Sequence, residues 1–154
     1  STRILTAGTG LTGGGNLSTD RTFSGNANIR RRTAGFFAGG NISTAMVPEE
    51  ARVYVPNNVE LTDVQLAVTT TPVGANILVQ LYQFPGPIST GSAFFSAGSR
   101  PIVATGNALG VGSRGGDFLN TIAFAGSWLG WSLDQAGSTT AGSNLTVTVV
   151  GITS

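Results

Sequence analysis

Side chains able to do acid–base, nucleophilic or metal chemistry are few in this chain. It has no His and no Cys, which removes the imidazole base, the thiolate nucleophile and the common zinc sets. Seven carboxylates remain: Asp20, Glu49, Glu50, Glu60, Asp63, Asp117 and Asp134. A glycosidase needs two carboxyl groups facing each other across a cleft. Glu49 and Glu50 precede a predicted strand, and Glu60 and Asp63 sit at a predicted bulge. They read as solvated edge charges that discourage strand-to-strand aggregation. Asp117, in Ser113-Arg114-Gly115-Gly116-Asp117, reads as a turn former, because a calcium site needs several oxygen ligands. The expectation is no catalysis, no metal and no cofactor.

What is left is recognition. Phe36-Phe37, Phe94-Phe95 and Trp128 with Trp131 are aromatic clusters. Neighbours on a strand face opposite ways, so at least one of each pair should be core and the other free for contact. Trp128, with Asp134 and Gln135 downstream, has the composition of a sugar-binding surface: a flat apolar ring beside polar side chains. The candidate ligand or interface contacts are therefore Phe36, Phe37, Trp128, Asp134 and Gln135, with a subunit interface favoured. Arg30-Arg31-Arg32 reads as a solvated junction or a source of subunit salt bridges, with an anionic partner as the alternative. Gly8, Gly10 and Gly13 match a dinucleotide fingerprint, but Gly14, Gly15 and Asn16 follow where that motif needs a helix.

The elements that must hold these residues are strands. The chain has 154 residues, 23 of them Gly, and only 10% are charged, with a formal net charge of +1. The charged share is well under half the usual ~25% and Gly is about twice its usual share, as in short strands joined by tight turns. Near-neutral charge predicts no general attraction to nucleic acid, and no apolar run reaches the ~20 residues of a membrane span. Leu61, Val64, Leu66 and Val68 alternate with polar residues, with a phase slip at Thr62–Asp63 that predicts a β-bulge. Asn76–Phe84 is apolar on both faces, and the two runs read as neighbouring antiparallel strands. Leu129, Trp131 and Leu133, then Leu145, Val147 and Val149, show the same period of two. Strands are predicted at Ala51–Val55, Val59–Thr69, Asn76–Phe84, Phe94–Ser96, Ile102–Thr105, Phe118–Ala125, Trp128–Leu133 and Leu145–Ile152. Their spacing predicts an all-β antiparallel sandwich of jelly-roll type over residues 40–154.

Residues 1–39 read as a separate extended, Gly-rich segment. Its isolated apolar residues Ile4, Leu5, Leu11, Leu17, Phe23 and Ile29 cannot enclose a core within one chain, but identical copies meeting around an axis would share one. The run Ala7-Gly-Thr-Gly-Leu-Thr-Gly-Gly-Gly-Asn-Leu-Ser-Thr-Asp-Arg-Thr-Phe23 resembles the Gly-rich motif of tail fibres and related virion proteins of tailed bacteriophages. Val55–Gln83 and its C-terminal partner resemble, more loosely, a small jelly-roll module of phage structural proteins. The resemblance implies a non-enzymatic virion protein on the tail or capsid surface, homotrimeric, attached to other virion proteins through residues 1–39. Its implied role is a tail fibre or spike that binds a host surface glycan. A capsid decoration or head-fibre protein is the alternative, kept open by the short chain.

Overall fold

A computed structural model of the chain describes residues 3–9, 11–16, 22–25, 30–45, 52–86, 89–110 and 118–153. Among these residues the named elements are thirteen strands: β1 (Ile4–Thr6), β2 (Leu11–Asn16), β3 (Phe23–Gly25), β4 (Arg31–Asn41), β5 (Val53–Tyr54), β6 (Val59–Ala67), β7 (Ile77–Phe84), β8 (Ser92–Ala93), β9 (Ile102–Val103), β10 (Leu109–Gly110), β11 (Ile122–Ala123), β12 (Trp128–Gln135) and β13 (Ser143–Thr153).

From β4 onward they form two five-stranded sheets. One runs β4-β13-β6, with both β10 and β11 on the outer side of β6. The other runs β5-β12-β7, with both β8 and β9 on the outer side of β7. All the pairings are antiparallel. If β8/β9 and β10/β11 each count as one broken strand, consecutive strands occupy eight positions in the order of a jelly roll. Inward side chains from both sheets, among them Phe36, Leu61, Val64, Val79, Leu81, Trp131, Leu133 and Val147, form a single buried cluster. The antiparallel sandwich expected from strand spacing is thus the fold observed.

Three expectations change. The division at 39/40 falls inside β4, which pairs with β13 from Arg31↔Ile152 to Ser143↔Asn41. Ala34, Phe36 and Ala38 face the core and Thr33, Gly35 and Phe37 face out, so the sandwich begins at Arg31. Second, β6 and β7 are not neighbours. Residues 68–76 carry the chain across from one sheet to the other, and β6 instead pairs with β13 while β7 pairs with β12. Third, the Gly-rich segment is more than extended chain, since β1, β2 and β3 form a small antiparallel sheet. Gly13, Gly14 and Gly15 have φ of 113°, 109° and 126°, a region that L side chains rarely enter. A Cβ on Gly14 would also lie 2.6 Å from the Leu5 carbonyl oxygen, so the triple glycine is what lets β2 lie against β1.

The predicted bulge is present: Val150 faces Asp63 but Gly151 faces Leu61, leaving Thr62 as the extra residue. Its hydroxyl donates to the Val150 carbonyl at 3.2 Å. A second irregularity lies on β7, whose outer edge is covered by β9 at Ile77–Leu78 and by β8 at Tyr82–Gln83. In the gap the buried Gln80 substitutes for a strand. Its Nε2 donates to the Phe95 carbonyl at 2.9 Å, and its Oε1 accepts from the backbone N–H of Leu81 at 3.0 Å and of Phe95 at 3.2 Å. Buried backbone groups need such partners.

Candidate functional site

The two ends of the sandwich differ in chemistry. The entry end, where β4 begins and β13 finishes, carries a row of aromatic residues. Trp128 on β12 stands opposite Tyr54 on β5 and Phe84 on β7, so the three form one row on the outer face of their sheet. Tyr54 and Trp128 meet edge to face, with centroids 5.3 Å apart and planes at 61°. The Arg52 guanidinium lies 3.8 Å above the Phe84 ring centroid, a cation–π contact, and its Nη1 donates to the Gly86 carbonyl at 3.1 Å. Tyr82 adds a fourth ring 6.0 Å from Phe84. Phe84 is covered, but Tyr54 is 51% exposed, leaving a ring face available for stacking against an apolar side chain or a sugar. Beside this row, between the sheets, a cleft of about 180 Å³ is lined by Arg32, Val53, Tyr54, Val59, Leu129 and Val149 among others.

At the far end three connections are tied into one surface. The Gly106 N–H donates to the Pro72 carbonyl at 3.0 Å and the Thr139 N–H to the Val73 carbonyl at 2.9 Å. Asn76 Oδ1 accepts from the Thr105 N–H at 3.0 Å. Beneath them Asn144 Nδ2 donates to Thr69 Oγ1 at 2.9 Å and Ser143 Oγ to Thr70 Oγ1 at 2.7 Å. Thr105, Asn107, Ser138, Thr139 and Thr140 stand exposed on this frame. It is a hydroxyl- and amide-rich surface on rigid loops, a composition suited to hydrogen-bonding another polyol.

The predicted contact residues do not converge. Asp134 and Gln135 lie at the opposite end of β12 from Trp128, about 20 Å away at ~3.3 Å per strand residue. Asp134 is held by Arg100 in a salt bridge and accepts from Ser132 Oγ at 2.7 Å, while Gln135 Nε2 donates to the Asn76 carbonyl at 2.9 Å. Both brace the fold. Phe36 is buried in the core. Phe37, its neighbour, is 65% exposed on the outer face of the other sheet.

Of the oligomerisation candidates, Ile4, Leu5 and Leu11 are exposed. Leu17 and Ile29 lie outside the described residues, as does the side chain of Phe23. So do Asp20, Glu49, Glu50 and Asp117. Among the described residues no three His, Cys, Asp or Glu are grouped as metal ligands. None of the helices described there is long and apolar enough to cross a membrane.

Tyr54 was missed by the sequence reading because its partnership with Trp128 depends on pairing across 74 positions. Its place in a predicted strand opposite alternating Val53 and Val55 was the available signal. Of the turns in the sequence, Gln135–Ser143 lies at the far end, while the one following Phe84 lies at the entry end. No protein-family model, curated protein or solved structure matches the chain.

Proposed function

We propose that this chain is a non-enzymatic structural protein of a tailed-bacteriophage virion, a homotrimeric tail fibre or spike that attaches to a host surface glycan. The observation that carries this reading is the polarity of the sandwich. The chain enters at Arg31, directly after the Gly-rich segment, at the end that holds the aromatic row. The hydroxyl-rich loops gather at the opposite end. An attachment protein needs that arrangement, with subunit and virion contacts near the entry and a polar, rigid surface displayed outward. The resemblance of residues 7–23 to phage fibre motifs supports the virion assignment, and the exposure of Ile4, Leu5 and Leu11 in a single chain supports a shared core among copies.

In this arrangement each far end binds sugar weakly, near millimolar, which corresponds to about 4 kcal/mol. Several subunits on one surface raise the effective affinity by orders of magnitude. The test is adsorption: purified oligomer should compete with the phage for host cells. Asn107→Arg with Thr140→Arg, two exposed far-end positions, should abolish competition while leaving assembly intact. An oligomer that does not compete, and whose removal makes capsids fragile, would establish the decoration role instead.

A further inference from the structure

The outer face of the β4-β13-β6 sheet is patterned in a way that neither the aromatic row nor the far-end loops use. Down its centre β13 presents Thr146, Thr148, Val150 and Ile152, uncharged, β-branched and half-buried. On the β4 side stand Phe37, Gly35, Thr33 and Arg31, in register with those four residues. On the β6 side stand Ala67, Gln65, Asp63 and Glu60, also in register with them. Cation and carboxylates therefore lie on opposite flanks of an uncharged stripe. Arg31 and Glu60 share one row across Ile152, two strand spacings or about 10 Å apart between their backbones, and no ion pair joins them. Among the described residues neither has an ion-pair partner.

We infer that this face is a self-association surface whose occupant is a second copy of the chain, packed face to face about a twofold axis along β13. Such a rotation keeps each residue's height along the strand and exchanges the two flanks. Arg31 then overlies the partner's Glu60, Thr33 overlies the partner's Asp63, and the exposed Phe37 covers the partner's Ala67. Positions on β13 face themselves, which costs nothing because none is charged. The pattern is self-complementary, as an isologous contact requires, and aligned sheet packing at ~10 Å is a standard arrangement.

Seven residues of strand by three strands is about 20 Å by 15 Å, or on the order of 300–400 Å² per copy. A standard interface buries about 800 Å² per partner, so the contact is weak and serves copies already concentrated on one particle. Being isologous, it joins sandwiches two by two. It cannot close a threefold ring, so in a trimeric fibre it links protomers of neighbouring trimers. The inference does not depend on the receptor-binding reading.

Sedimentation of the full-length protein at about 100 µM tests it. Arg31→Glu sets a carboxylate opposite each Glu60 and Glu60→Arg a guanidinium opposite each Arg31, so each variant should repel itself in this row and associate about tenfold or more weakly than the wild type. An equimolar mixture of the two restores both opposite-charge pairs and should recover the wild-type mass, an association that ~1 M salt weakens. Both positions are exposed, and circular dichroism checks folding. Should either variant not fold, Thr148→Arg places two like charges together on the axis and should also lower the mass. Equal masses for wild type and Thr148→Arg, or folded single variants whose mixture does not recover, would overturn the inference.

Discussion

Replacing Gln80 with Met keeps the length of the side chain and removes its amide. Three buried backbone groups then lose their partner: the N–H of Leu81 and both the N–H and the carbonyl of Phe95. Each stranded group costs about 1–3 kcal/mol, and the apolar replacement returns about 1 kcal/mol. The expected destabilisation is about 2–8 kcal/mol, against a total of roughly 5–15 kcal/mol for an ordinary domain. Urea unfolding should show it as a lower midpoint at unchanged slope. Gln80→Glu gives a second, differently shaped result. It retains the acceptors and places a carboxyl where burial favours the neutral form, whose O–H can still donate to the Phe95 carbonyl, a donor lost on ionisation. Its folded pKa then lies above the unfolded value of about 4.3, so stability is greatest below that value and is lost as pH rises through the folded pKa. Gln80→Met should show no such dependence. A loss below about 1 kcal/mol for Gln80→Met, or a pH-independent Gln80→Glu, would refute the view that this amide stands in for a strand.

Trp131 is buried between Leu129 and Leu133, so Trp131→Ala should cost about 3–5 kcal/mol. Trp128→Ala, on the outer face, should cost clearly less and lower oligomer mass; equal losses by urea unfolding would contradict the face assignment. Gly14→Val should disrupt the β1–β2 pairing and shift the oligomer to lower mass by sedimentation, while the near-UV spectrum of the sandwich is unchanged.

What the sequence revealed depended on how local the cause was. The bulge at Thr62 was legible because a break in alternation is itself local, and the faces of β12 and β13 were legible for the same reason. β4 was not, because its inward residues are Ala34, Phe36 and Ala38 and its outward ones include Gly35 and Gly39. Small residues alternate without contrast, and three arginines at its start read as a boundary. The partners of β6 and β7 were hidden for another reason: Thr70-Thr71-Pro72-Val73-Gly74 has the same composition whether it turns a hairpin or arches between sheets. The expected grouping of Trp128 with Asp134 and Gln135 treated closeness in sequence as closeness in space, which an extended strand denies.

The pairing of the first and last strands of the sandwich sets how it bears a load. β4 and β13 are antiparallel, with Arg31 beside Ile152, and antiparallel hydrogen bonds lie perpendicular to the strands. Tension between the start of β4 and the end of β13 would act on the bond at that edge alone, then on the next, and the ladder would unzip at low force. Tension between the start of β4 and the far-end loops would run along the strands and set the whole ladder in shear, with its bonds resisting together. A domain anchored through Arg31 and gripped at Thr70, Thr139 and Asn107 is pulled in its strong direction. The same domain pulled through the end of β13 would open like a zip.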